Sequence, residues 1–287
     1  MEWVKFQTRV PGKWVLAGEH SVLRGAPAVA LPHPELGLSL AYDPHEKSES
    51  LSVNPPEANG ILLELLSAMI ENIQTQGLSF SQPQGRVQIE STIPIGAGLG
   101  SSAALCVALT QWVSSILEFG EEQKIELATR LEHRFHGKSS GMDVAVISAR
   151  QPITYTMANG IQNIGVTSLP KFTFHDTGLR SRTSDCVLRV EKFREDTPQL
   201  GAHVDAKMEA ASRFAIDGLA AFDAGDRPAG LRLISDAMKQ ARECFYSWEL
   251  VPGEARRLEE SLLREGALAV KLTGAGGGGM VVALWDC

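Results

Sequence analysis

Hydrophobic and polar positions divide this chain into a strand-rich beginning and a helix-rich remainder. Up to about residue 55, β-branched and aromatic positions are interrupted by Pro and Gly, as in 4–10 and 36–42, which marks several strands and turns. Leu62, Leu65, Leu66, Met69 and Ile73 then recur at helical spacing and predict a helix over 61–76, followed by a strand over 86–91. The run Ala-Ala-Leu-Cys-Val-Ala-Leu within 101–119 is apolar almost all round, so this helix should be buried. Helices follow over 121–136 and 140–149, then short strands over 153–157 and 171–175. The pattern continues as amphipathic helix over 184–194, 202–222, 231–246 and 254–264, and closes with strands over 268–272 and 280–285. Strands first and helices later, without regular βαβ alternation, predict an α+β fold in two domains, 1–170 and 171–287.

Composition narrows the class. The 287 residues are 44% apolar and 21% charged, ordinary values that set aside disordered and fibrous architectures. Lys plus Arg number 27 against 34 Asp plus Glu, and a net charge of −7 disfavours general affinity for nucleic acid or an anionic membrane. Cys106, Cys186, Cys244 and Cys287 stand singly with no C-x-x-C spacing, which fits reduced thiols in the cytoplasm. No apolar run approaches the ~18 residues of a membrane span and no basic-then-apolar leader opens the chain, so a soluble, unprocessed protein is expected. No repeat of fixed period points to a solenoid or propeller.

Glycine is informative by position. Eight of the 27 glycines fall within two short segments, 96–100 and 274–279. The first, Pro94-Ile95-Gly96-Ala97-Gly98-Leu99-Gly100-Ser101-Ser102, joins a predicted strand to the buried helix. The first amides of a helix lack intrahelical acceptors, glycines let an anion approach them, and the helix dipole adds positive charge, so a phosphate suits this place. A tight structural turn with Ser101 as N-cap is the alternative. The spacing is neither the P-loop, which needs Gly-Lys-Ser/Thr, nor the dinucleotide fingerprint. Gly274-Ala275-Gly276-Gly277-Gly278-Gly279 formally matches Gly-x-Gly-x-x-Gly, but it lies between two strands near the end of the sequence rather than opening a helix. It reads as a hairpin whose bare backbone packs on another surface, with the first loop as the expected one.

Charged residues in apolar settings add chemistry. On the helix over 121–136, Ile125, Ala128, Leu131 and Phe135 form the apolar stripe, and at 100° per residue Glu132 faces inward, where a carboxylate needs a metal ion or basic partner. Asp143 follows a polar turn and fits a helix cap or dipole partner as well as a functional carboxylate. His133 and His136 lack the spacing of a zinc motif. Lys13 stands beside a turn with Glu19 and His20 beyond it, and taken alone these suit a solvated lysine and a satisfied histidine. Together, an anion loop, an inward carboxylate, the Ser102 hydroxyl and one lysine are the parts needed for Mg-nucleotide phosphoryl transfer.

These segments, 11–25, 94–104, 132–143 and 271–279, resemble those of the GHMP kinase family in order and spacing, and within it the branch of mevalonate kinases, to which Gly18-Glu19-His20-Ser21-Val22-Leu23 is similar. The resemblance implies an S5-like N-terminal domain and a ferredoxin-like C-terminal domain with the active site between them. It implies an ATP- and Mg²⁺-dependent kinase acting on the primary hydroxyl of a small molecule, here mevalonate. Phosphomevalonate or another family substrate, or a non-catalytic sensor, are the alternatives. By motif position, Gly96, Ala97, Gly98, Leu99, Gly100, Ser101 and Ser102 would hold the ATP phosphates, with Ser91 and Asn54 also toward ATP. Ser102 and Glu132 would ligate Mg²⁺. Asp143 would be the catalytic base, Lys13 would touch both Asp143 and the substrate hydroxyl, and Glu19 and His20 would line the substrate side. A homodimer is the family-level expectation. One departure stands out: the family usually has Pro where this chain has Ser139, a change expected to affect only loop rigidity. Lys138, Arg180 and Arg182 are the candidates for an extra cationic site.

Overall fold

A computed structural model describes residues 3–45, 50–75, 77, 82–117, 119–136 and 139–286, with backbone alone for Phe135 and His136. Nine strands and eight α-helices are present among the described residues. The first sheet is organised by one long strand, β2 (Ala28–Pro44), which pairs antiparallel with β1 (Phe6–Ala17), β4 (Gly85–Ser91) and β5 (Ile153–Thr156). β3 (Leu51–Asn54) runs parallel to β4, and β6 (Gly160–Asn163) closes a hairpin on β5. β1 changes register between Pro11 and Lys13, so the side chains after this irregularity, Lys13 among them, turn toward the interior.

Four helices accompany this sheet: α1 (Asn59–Thr75), α2 (Ser101–Ser114), α3 (Glu121–His136) and α4 (Met142–Ala149). The helix expected to be apolar all round is the central one: Ala103, Ala104, Cys106, Val107, Ala108, Leu109, Trp112 and Val113 of α2 are all buried. Trp112 packs on Tyr42 of β2 at 4.6 Å between ring centroids. The α1 residues named from helical spacing, Leu62, Leu65, Leu66, Met69 and Ile73, are likewise buried.

The second sheet has the order β7-β9-β8, all antiparallel, from β7 (Lys171–Asp176), β8 (Ala269–Thr273) and β9 (Met280–Trp285). Between β7 and β8 run α5 (Thr183–Asp196), α6 (Pro198–Asp223), α7 (Arg227–Ser247) and α8 (Gly253–Arg264). β8 and most of β9 are buried, and Val270, Leu272, Val281, Val282 and Leu284 form that core. The fold is α+β, as the strand-then-helix pattern implied. Among the described residues, no helix is long and apolar enough to cross a membrane, and Cys106, Cys186 and Cys244 are buried and free. Cys287 lies outside the described residues.

Candidate active site

The glycine loop leaves β4 and turns into α2. Gly96, Gly98 and Gly100 all take positive φ, between 72° and 78°, the region L side chains disfavour. Gly100, rather than Ser101, is the N-cap of α2, and it offers no side-chain acceptor. The N-cap thus supplies no side chain to the first amides of the helix, the setting in which an anion binds a helix N-terminus.

The second glycine cluster is the β8–β9 hairpin, and it packs on the first loop. A β-carbon on Gly279 would lie 2.5 Å from the Ala97 carbonyl oxygen, and one on Gly274 would lie 2.8 Å from the Gly98 α-carbon. Side chains are excluded because two backbones touch.

A cavity of about 850 Å³ opens beside this double loop. Its walls include Lys13, Glu19, His20, Ser91, Glu132 and Asp143 together with every residue from Gly96 to Ser102. Asn54 does not line it: this residue ends β3, exposed, while the next turn brings Pro55 and Ala58 to the cavity. The loose spacing around Asn54 selected a neighbour of the wall rather than the wall.

At the inner end, Lys13 Nζ lies 2.9 Å from Asp143 Oδ2, with the lysine side chain 4% exposed and the aspartate 28%. Asp143 belongs to the first turn of α4, whose N-cap is Gly141 at φ 82°. Glu132 is buried on α3, as its place on the helix face required. Burial, and then the charge of Asp143, pushes its carboxyl up to about 7, against the opposing effects of the Ser139 hydroxyl and Lys13. Asp143 takes the Lys13 ammonium, while Glu132 is met by the Ser139 hydroxyl rather than by a cation, so the carboxyl side of the pocket suits a divalent cation. Among the described residues no three His, Cys, Asp or Glu side chains converge to hold a metal. A cation on Glu132 would thus draw oxygen ligands from elsewhere, as Mg²⁺ does from nucleotide phosphates.

Ser139 corrects an expectation. Far from affecting only loop stiffness, its hydroxyl donates to Glu132 Oε2 at 2.6 Å and accepts from the Gly141 amide at 3.1 Å. Glu19 differs from a simple lining residue too. Its Oε1 is hydrogen-bonded to Lys271 Nζ in a buried ion pair, the lysine also donating to the Val15 carbonyl at 3.2 Å, while Oε2 has no partner among the described residues. Burial raises the Glu19 carboxyl, opposed chiefly by Lys271. His20 is buried edge-on against Trp248 and Phe245, with Nε2 2.9 Å from the Ala275 carbonyl oxygen. Burial lowers its pKa to about 4, so the ring is neutral near pH 7 and donates to that carbonyl.

Lys271 was the missed partner. Its signal is a lone lysine in Ala-Val-Lys-Leu-Thr, a strand otherwise buried throughout. Arg182, one of the candidates for a cationic site, lines the cavity at the start of α5, and its neighbours Ser181, Thr183 and Ser184, which the sequence reading did not single out, line it too. Arg180, by contrast, is held by both oxygens of Asp176 at 2.7 Å and reaches the Ile95 carbonyl at 3.1 Å. Lys138 lies outside the described residues.

A glycine-rich anion loop, an inward carboxylate and a lysine-aspartate pair around one cavity are the equipment of phosphoryl transfer to a small molecule. The model of the GHMP kinases N terminal domain matches residues 62–150, and that of the GHMP kinases C terminal region matches residues 220–286. The chain is also similar to the mevalonate kinase of Pyrococcus horikoshii, at 30% identity over 96% of this chain and 87% of the relative. The mevalonate kinase of Thermococcus sibiricus is 29% identical over the same shares. The chain belongs to the GHMP kinase family, whose members use ATP to phosphorylate small molecules. Among solved structures, L. major mevalonate kinase in complex with R-mevalonate aligns with a TM-score of 0.78 at 22% identity, over 98% of this chain and 87% of that one, a likeness of fold.

Proposed function

We propose that this protein is a mevalonate kinase, transferring the γ-phosphoryl group of ATP to the primary hydroxyl of (R)-mevalonate to give 5-phosphomevalonate and ADP. The observation that carries the reading is the Lys13–Asp143 pair at the inner end of a cavity that also holds the glycine loop. Similarity to mevalonate kinases over 96% of the chain supports this choice of substrate.

Asp143 accepts the proton of the substrate hydroxyl as the oxygen attacks phosphorus. Lys13 places positive charge beside that oxygen as negative charge develops on it. The amides of the glycine loop and the start of α2 hold the phosphates, and the apolar end of the cavity near Pro55, Ala58, Ile61 and Ile89 takes the adenine. Glu132 and Ser102 would hold Mg²⁺, which when bound neutralises charge on the phosphates. The site draws on both halves of the chain, and we assign residues 1–170 and 171–287 as its two domains.

Arg182 lines the cavity and supplies charge for the mevalonate carboxylate. Phosphomevalonate carries an additional phosphate, whereas Arg180 is already committed to Asp176. Incubation with Mg-ATP and, separately, mevalonate, phosphomevalonate, homoserine and galactose, with ADP release followed, tests the reading. Turnover of mevalonate well above the others is expected. Preference for another acceptor, an alcohol or the phosphate of phosphomevalonate, moves the assignment within the family, and no ADP with any of them defeats the kinase reading.

A further inference from the structure

We propose that Ser139 is a positioning residue that holds the Glu132 carboxylate in register with the helix carrying Asp143. The inference rests on the kinase reading above. Glu132 lies in the last turns of α3, and Gly141 is the N-cap of α4, with Asp143 two residues on. Between them Ser139 uses one oxygen twice: it donates to Glu132 Oε2 at 2.6 Å and accepts from the Gly141 amide at 3.1 Å. Its carbonyl also meets Nε2 of His133, the residue next to Glu132, at 3.2 Å.

A hydroxyl is donor and acceptor at once, so serine can join the two helices through a single side chain. Alanine serves neither end, and neither does proline, which has no hydroxyl and no amide hydrogen. The bond to Glu132 is short, and it is charge-assisted once the carboxyl is ionised, the form that binds a cation. Without it the carboxylate regains its broad terminal torsion. The other side of the turn is held independently, because Tyr155 Oη donates to the Ser140 carbonyl at 2.6 Å. Loss of the Ser139 hydroxyl therefore releases Glu132 without dismantling the entry to α4. The effect falls on whatever the carboxylate holds, which on the kinase reading is the cation accompanying the nucleotide.

The test is calorimetric binding of a non-hydrolysable ATP analogue to the full-length protein, in Mg²⁺ and in EDTA, for the wild type, Ser139→Ala and Ser139→Thr. Wild type is expected to bind more tightly in Mg²⁺. Ser139→Ala should lose about 3- to 10-fold of that gain, the net worth of an ordinary hydrogen bond, while its affinity in EDTA matches wild type. Ser139→Thr keeps the hydroxyl and should retain most of the gain. The inference is overturned if Ser139→Ala keeps the full Mg²⁺ gain, if it weakens binding equally in Mg²⁺ and EDTA, or if the threonine variant behaves as the alanine one. A wild type with no Mg²⁺ gain overturns the cation-binding role of Glu132 itself, a distinguishable failure.

Discussion

The ammonium of Lys13 sits deeper than the carboxylate it pairs with: Asp143 Oδ2 is 2.9 Å away, yet its side chain is 28% exposed against 4% for the lysine. Gly100 makes room for that lysine, since a β-carbon there would lie 2.8 Å from Lys13 Cγ. The cation is thus walled in by the glycine loop, and the carboxylate faces the cavity where a hydroxyl can reach it. On the proposed mechanism Asp143→Ala removes the general base, worth typically 10²- to 10⁴-fold, and Lys13→Met should lose turnover on a similar scale. Both should bind ATP with affinity within about threefold of wild type, because neither supplies the loop amides. Single-turnover kinetics with a separate nucleotide titration checks this, and near-normal turnover of Asp143→Ala would remove it from the mechanism.

Glu19 and Lys271 form a second acid-base pair with a different task. Their side chains are 3% and 1% exposed and come from opposite ends of the chain, joining the segment after β1 to β8. Breaking a buried pair from one side strands a charge, at a cost of about 3–5 kcal/mol, while removing both charges costs much less. Lys271→Met should therefore destabilise the protein by that amount, and Glu19→Gln combined with it should recover at least half. Urea unfolding of the two single variants and the double variant measures the coupling. Strict additivity would mean that the pair does not hold these segments together.

Legibility in the sequence followed the range of the interaction. Helix α3 spans 121–136 as its periodicity implied, and Glu132 faces inward because 100° per residue is a local rule. The helix expected over 101–119 ends at Ser114, where the hydroxyls of Ser114 and Ser115 bond back to the carbonyls of Thr110 and Trp112 and compete with the backbone ladder. The helix expected from 140 begins at Met142 because Gly141 takes φ 82° as its cap. Strand β6 was missed, its four residues Gly-Ile-Gln-Asn offering one apolar position and no alternation. The site divides the same way. Loop and helix features were readable, whereas the pairing of Glu19 with Lys271, 252 residues apart, has no local signature. The Ser139 hydrogen bond depends on how two helices meet, which a substitution pattern alone does not describe.

Contact between the two glycine loops makes a prediction about nucleotide affinity. Gly279 has φ 83°, and a β-carbon there would sit 2.5 Å from the Ala97 carbonyl oxygen, so Gly279→Ala must push the first glycine loop outward. Gly160, at φ 65° in the β5–β6 hairpin, has open space around it and carries only the conformational penalty of about 1–2 kcal/mol. The KM for ATP should rise more than about tenfold in Gly279→Ala, on the scale of 1.4 kcal/mol per tenfold, and change less than about twofold in Gly160→Ala. Equal effects of the two would place the hairpin outside the nucleotide site.

Stability should respond to pH in opposite senses at Glu132 and His20. The Glu132 carboxyl is raised from 4.5 to about 7 by burial and by Asp143, so the stability its neutral form contributes is full below pH 4.5 and is lost as pH rises through 7. His20 is lowered from 6.5 to about 4 by burial, so its contribution is full above pH 6.5 and is lost as pH falls through 4. Each shift corresponds to at most about 3 kcal/mol at 1.36 kcal/mol per pH unit. Glu132→Gln cannot ionise. Its unfolding free energy relative to wild type should grow between pH 5 and 8 in urea titrations without metal or nucleotide. His20→Gln should gain on wild type in the other direction, between pH 6.5 and 4. A Glu132→Gln curve parallel to wild type from pH 5 to 8 would show that this carboxylate is already charged at little cost in the empty pocket, removing the electrostatic argument for a cation beside it.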